Sequence, residues 1–124
     1  MELKLIIFDV DGTLYDLKSH CIPQSCTKAI RQLKRNKIRF AIASGRAHYG
    51  MGKALNDLRA DYIIADSGGV IVDSEGNMLY HEDMPFAECC QLLEFARQEE
   101  AGLVFKFPQH MYIYQHPEKV DWLQ

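Results

Sequence analysis

Apolar residues recur along this chain in short blocks with two different periods. Leu5-Ile6-Ile7-Phe8, bounded by Lys4 and Asp9, is a run of branched and aromatic residues and reads as a buried β-strand. Residues 25–36 follow Pro23 and place Ala29, Ile30 and Leu33 at helical spacing. The basic cluster Lys34-Arg35-Asn36-Lys37 ends that segment, where positive charge suits the negative end of a helix dipole. Residues 38–43 return to a strand pattern, so strand, helix and strand predict a parallel crossover. A second helix is expected over residues 47–58, although Gly50 and Gly52 each weaken it by roughly 1 kcal/mol relative to Ala. A third strand, Tyr62-Ile63-Ile64-Ala65, runs into the polar turn Asp66-Ser67-Gly68-Gly69. Val70-Ile71-Val72, the turn Asp73-Ser74-Glu75-Gly76-Asn77 and Met78-Leu79-Tyr80 then make a hairpin. A helix over residues 86–100 carries Leu92, Leu93, Phe95 and Ala96 on one face, expected to be core. Strands over residues 103–107 and 111–114 flank the turn Pro108-Gln109-His110, and Trp122 and Leu123 are apolar at the end of the sequence. The alternation describes an α/β protein.

Composition narrows the class without changing that outline. With 124 residues, 48% hydrophobic and 25% charged, the chain has the make-up of one soluble globular domain, or one and a piece, and is far from disordered or fibrous sequences. A formal net charge of −3 with scattered basic residues argues against nucleic acid as a partner. Apolar runs are far shorter than the ~20 residues that span a bilayer, so no membrane association is expected and the location read from the sequence is cytoplasmic. Cys21, Cys26, Cys89 and Cys90 lack zinc-ligand spacing and are read as reduced thiols. His48, His110 and His116 are lone histidines expected in solvated loops.

The chemistry gathers at Asp9-Val10-Asp11-Gly12-Thr13. Two acids just past a buried strand are costly unless something pairs with them, and in open parallel sheets that end is where ligands bind. Gly12 permits a turn away from the strand, and Thr13 offers a hydroxyl and an N–H to an anion. Carboxylates two residues apart can divide nucleophilic attack and proton transfer between them; the bland alternative is a turn that caps a helix. Hard oxygen ligands at a strand end suit Mg²⁺. Ser44-Gly45-Arg46 ends the second strand in the same way, with Ser44 open to two readings, an anion contact or the N-cap of the following helix. Arg46 is open between substrate binding and a surface salt bridge.

These motifs resemble the haloacid dehalogenase-like superfamily of phosphohydrolases, whose signature reads Asp-x-Asp-x-Thr after the first strand. Ser44-Gly45-Arg46 stands where the family's second motif lies, and the hairpin after Ser67-Gly68-Gly69 resembles the Cof-type subfamily. The resemblance implies a Rossmann-like parallel sheet, with residues 1–81 as a partial core domain and residues 82–124 as a partial α/β cap. It implies Asp9 as a nucleophile that forms an aspartyl-phosphate and touches Mg²⁺. Asp11 would be the acid and base, with its backbone carbonyl on the metal. Thr13 and Ser44 would lie near the transferred phosphoryl group of the substrate, a small phosphorylated metabolite, and Gly45 and Arg46 of the same loop are further candidate substrate contacts.

The chain departs from the pattern in three places. The family's third-motif lysine and its later acidic pair have no counterpart here, Lys106 lying in the expected cap, and Ser67 stands where the subfamily usually has asparagine. The expectation is therefore a phosphomonoester hydrolase that is truncated and weak or inactive alone. The competing readings are a non-catalytic binding or assembly module and, less favoured, a phosphorelay receiver, whose adjacent acids are interrupted here by Val10. A further expectation concerns the first strand: in the resembled fold a fourth strand, which this chain does not supply, flanks it, so its outer edge is expected to be unpaired. This predicts either a homo-oligomer through that edge or capture of residues 103–107 as a substitute strand.

Overall fold

The computed structural model describes residues 3–120, so Trp122 and Leu123 lie outside the described residues. The elements are β1 (Leu5–Asp9), α1 (Gln24–Arg35), β2 (Arg39–Ala43), α2 (Gly52–Asn56), β3 (Tyr62–Ala65), β4 (Val70–Asp73), β5 (Met78–His81), α3 (Phe86–Gln98), β6 (Leu103–Lys106) and β7 (Met111–Gln115). Single 3₁₀ turns stand at His48–Gly50, Asp66–Gly68 and Pro117–Lys119. The chain divides into two compact units after His81.

The first unit is a five-stranded sheet in the order β1-β2-β3-β4-β5. β1, β2 and β3 are parallel, whereas β4 and β5 return antiparallel as the hairpin. Register places Ile6 beside Phe40, Phe8 beside Ile42, Ile42 beside Ile63 and Ile63 beside Val72. Because strand side chains alternate, these residues share one face of the sheet. That face holds the core, where Phe40, Ile42, Val70 and Val72 pack with Val10, Leu14, Ile30 of α1, Met51 and Leu55 of α2. Lys34 at the end of α1 donates to the carbonyls of Leu58 at 2.9 Å and Arg59 at 2.8 Å, accepting the role its sequence position suggested in a different form: it satisfies loop carbonyls beyond its own helix.

Three expectations need correction in this unit. β1 is not buried on both faces: it is the edge strand, and Leu5 and Ile7, on the face opposite the core, are 39% and 54% exposed. Residues 47–58 do not form one helix, because Gly52 adopts φ +74°, which resets the backbone between the His48–Gly50 turn and the short α2. His48 is also not a solvated loop residue, since it is half-buried and its Nδ1 is enclosed without a hydrogen-bond partner.

In the second unit β6 pairs antiparallel with β7, so residues 103–106 are committed to their own hairpin and do not substitute for a neighbour of β1. The side-chain amide of Gln115 bridges the carbonyls of Ala96 and Ala101, and Arg97 Nε donates to the Tyr114 hydroxyl at 2.7 Å, which ties the hairpin to the end of α3. The expected core face of α3 is only partly realised: Ala96 is buried and Leu93 half-buried, but Phe95 is 59% exposed and Leu92 is exposed as well. A two-stranded hairpin is too narrow to cover a full helical face. Among the described residues no helix is long and apolar enough to cross a membrane.

Candidate active site

β1 runs one residue further than its apolar block, because the parallel ladder with β2 continues to the pair Asp9 and Ala43. Asp9 is thus the last residue of the strand, on the same face as Leu5 and Ile7, and its exposed carboxylate has no hydrogen-bond or ion-pair partner among the described residues. The chain then closes a compact loop. Thr13 N–H and Tyr15 N–H both donate to the Val10 carbonyl, at 3.2 and 2.8 Å, Leu14 N–H donates to the Asp9 carbonyl at 3.3 Å, and Gly12 N–H donates to the Tyr15 carbonyl at 2.9 Å. Gly12 takes φ +83° to make this possible. The N–H of Thr13 is consequently used inside the loop and not offered outward; what Thr13 presents to solvent is its hydroxyl.

Asp11 is in a different state from Asp9. Its carboxylate accepts two hydrogen bonds from Arg46, Nη2 to Oδ1 at 2.6 Å and Nε to Oδ2 at 3.2 Å. The Arg46 guanidinium in turn lies 5.3 Å from the ring centre of Tyr15. The structure thereby brings the first and second motifs together, with Arg46 in an ion pair with Asp11. Its side chain is 35% exposed and that of Asp11 40%, so solvent screens the pair and its worth to stability is on the order of 0.5–1 kcal/mol.

Ser44 follows Ala43 directly and is buried. Its N–H donates to the Ile64 carbonyl at 2.9 Å, and its hydroxyl accepts from the Arg46 N–H at 3.1 Å. It is not a helix N-cap: the residue in that position is Ala47, with no side-chain cap. The 44–46 loop is held from the other side by β3, as Asp66 N–H donates to the Arg46 carbonyl at 3.0 Å and Ser67 N–H to the Ser44 carbonyl at 3.1 Å. Gly45 is exposed, and a Cβ there would lie 3.3 Å from the Ser67 hydroxyl. Burial, and then the nearby Asp66 charge, push the Tyr49 phenol above its ordinary value.

Tyr15 is the participant that the sequence reading passed over. It was legible only as an aromatic two residues after Thr13, in a segment without a clear period. A cleft of about 600 Å³ lies elsewhere in this unit, lined by His48, Leu55, Asn56, Arg59 and Asp73 among others; none of the six candidate residues borders it. The acid pair stands on open surface, and it is the chemistry of the side chains that marks the site.

The oxygens available to a hard cation are the Asp9 carboxylate and the Asp11 carbonyl, which accepts no main-chain hydrogen bond among the described residues. Two protein oxygens fit a Mg²⁺ ion that keeps most of its waters. No group of three or more His, Cys, Asp or Glu able to enclose an ion forms among the described residues.

A chain with this fold and this loop pair has many relatives. It is 32% identical to phosphatase YwpJ of Bacillus subtilis over 78% of its own length and 34% of that protein. It is 33% identical to the HMP-PP phosphatase of Yersinia pestis over 74% of its length and 32% of that protein. The structure of BT1666 from Bacteroides thetaiotaomicron superposes with a TM-score of 0.86 at 23% identity, covering 98% of this chain and 45% of that one, a likeness that speaks to the fold. The chain spans less than half the length of these relatives. The family sequence model for haloacid dehalogenase-like hydrolases matches residues 6–123, from within β1 almost to the end of the sequence, and the chain belongs to that family.

Proposed function

We propose that this chain acts in the hydrolysis of phosphate monoesters of small metabolites, with Asp9 as nucleophile and Asp11 as the proton-handling group. The observation that carries the reading is the asymmetry of the two acids: the Asp9 carboxylate at the end of β1 has no partner among the described residues, while Asp11 beside it is held by Arg46. A free carboxylate oxygen of Asp9 attacks phosphorus, and the bond to the ester oxygen breaks. Asp11 in its protonated form gives that oxygen a proton and, left as the carboxylate, takes one back from the water that attacks the phosphoryl group and releases it from Asp9 as inorganic phosphate. Thr13 through its hydroxyl, with Ser44 and Gly45, would face the phosphoryl oxygens. Asp9 and the Asp11 carbonyl would hold Mg²⁺, which supplies charge neutralisation for the incoming phosphate dianion. The relatives named as phosphatases support the substrate class, and we read the first unit as a partial core and the second as part of a cap.

Turnover by these residues alone is expected to be slow, because Arg46 is the cation nearest Asp11 and is already paired with it. Release of p-nitrophenol from p-nitrophenyl phosphate, with and without Mg²⁺, tests the reading: metal-dependent turnover lost in Asp9→Asn supports it. Labelling by acetyl phosphate without turnover would favour a receiver, and neither activity would favour a non-catalytic module. We further propose that a second copy of the chain can pair along the open edge of β1, giving a homo-oligomer.

A further inference from the structure

We propose that Arg46, stacked on Tyr15, is a positioning residue that clamps the Asp11 carboxylate, and that it does not bind the substrate phosphate. The inference rests on the reading of Asp11 as the group that handles the proton. Its ground is that the Nε–Nη2 edge of the guanidinium is already engaged. That edge gives two N–H donors to the two carboxylate oxygens of Asp11, at 2.6 and 3.2 Å, and Cζ lies over the Tyr15 ring, 5.3 Å from its centre. A fork that meets both oxygens fixes the direction of a carboxylate as well as its distance, which a single ammonium donor cannot do.

The clamp is itself anchored on three sides. Tyr15 packs against the core and donates its hydroxyl to the His20 carbonyl at 2.8 Å. The loop that carries His20 is shaped by Asp16, whose carboxylate accepts from Ser19 Oγ at 2.6 Å and from the Lys18 N–H at 3.0 Å. The main chain of Arg46 is pinned through its N–H to Ser44 Oγ and through its carbonyl to the Asp66 N–H. Asp11 is fastened through the Gly12 N–H to the Tyr15 carbonyl. A residue free to close on an incoming anion needs slack that this arrangement does not have. Tyr15 and Arg46 therefore determine where the Asp11 oxygens point, while Asp9 next to them is left to react.

The test is nuclear magnetic resonance on the full ¹⁵N-labelled chain, with inorganic phosphate and Mg²⁺ as the probe. The Arg46 Nε–H signal is expected to be slowly exchanging in the wild type, to collapse into the exposed-arginine range in Asp11→Asn, and to move in Tyr15→Leu. Titration with phosphate is expected to shift the Thr13 and Gly45 amides without moving that signal, and Arg46→Ala is expected to change the phosphate dissociation constant less than twofold. Where turnover is measurable, Arg46→Ala should lower kcat ten- to a hundredfold at constant KM, with Arg46→Lys failing to restore it. An Arg46 signal indifferent to Asp11→Asn, or phosphate affinity weakened tenfold by Arg46→Ala, overturns the proposal. If phosphate shifts no amide near Asp9 and Asp9→Asn is silent, the phosphatase reading fails, and the response of the Arg46 signal to Asp11→Asn still decides the clamp.

Discussion

Ser67 donates its main-chain N–H to the carbonyl of Ser44 at 3.1 Å, fastening the loop after β3 to the loop after β2. To do so Ser67 adopts φ 57° and ψ 29°, a left-handed conformation that costs an L-residue roughly 1–2 kcal/mol and that asparagine tolerates better than serine. This accounts physically for the asparagine usual at that position in the Cof-type pattern. Ser67→Asn is expected to stabilise the chain by about 0.5 kcal/mol and Ser67→Val to destabilise it by about 1–2 kcal/mol, both read from urea unfolding midpoints. A neutral Ser67→Val would show that the loop relaxes out of the left-handed region.

Mg²⁺ binding should be weak and should depend on Asp9, since the chain offers one free carboxylate and one free carbonyl at the end of β1. Isothermal calorimetry on the wild type and on Asp9→Asn should show at least a tenfold loss of affinity. Binding undiminished by the substitution would place the ion elsewhere.

The hairpin turn should loosen in acid. Asp73 is held below the ordinary carboxylate value of 3.8, chiefly by the Asn77 side chain, whose effect outweighs the opposing one of burial, and further by the N–H groups of Asn77, Glu75 and Gly76. A depressed folded-state pKa contributes stability that is fully present above the unfolded value and is lost as pH falls through the folded one. The contribution should therefore be constant from neutral pH down to about 4 and disappear below it. Amide exchange at Glu75 and Asn77, whose N–H groups both donate to Asp73 Oδ1 at 2.9 Å, is the measurement; in Asp73→Ala the acid-dependent step should be absent.

Gly102 should be intolerant of a side chain. A Cβ there would meet Val120 Cγ1 at 2.9 Å, Lys119 Cβ at 3.1 Å and the His116 carbonyl at 3.2 Å, none of them the far end of a flexible chain. Gly102→Ala is expected to cost about 1–3 kcal/mol by overpacking. Proteolysis should then cut the second unit sooner while the first keeps its resistance; equal protection of both units would falsify the account.

Self-association through β1 makes a register-specific prediction. Two copies pairing antiparallel about Ile6 bring Leu5 of one opposite Ile7 of the other, both on the face away from the core, so side-chain parity is preserved. Light scattering should show a concentration-dependent dimer that Ile7→Lys abolishes, because a charge on an open edge opposes strand addition. A strict monomer across the concentration range would end the idea.

What the sequence determined by itself was everything governed by neighbouring residues. The strand blocks around Ile6, Ile42 and Ile63, the amphipathic helix carrying Ile30, the Asp73 to Asn77 turn and the acids after the first apolar run follow from side-chain period and turn chemistry, which act over a few residues and are visible in a linear reading. Even there, Gly52 shows the limit: its effect on a helix depends on whether the backbone uses positive φ, and here it does. The tertiary structure decided which groups meet. Residue type and spacing alone do not tell Asp9 from Asp11, and the folded chain gives them different surroundings by bringing Arg46 against Asp11 while Asp9 has no partner among the described residues. Likewise Leu5 and Ile7 read as buried residues, yet with the core packed on the opposite face of the sheet they remain exposed. A side chain's neighbours across the fold are set by strand order and register, and those are properties of the whole chain in space.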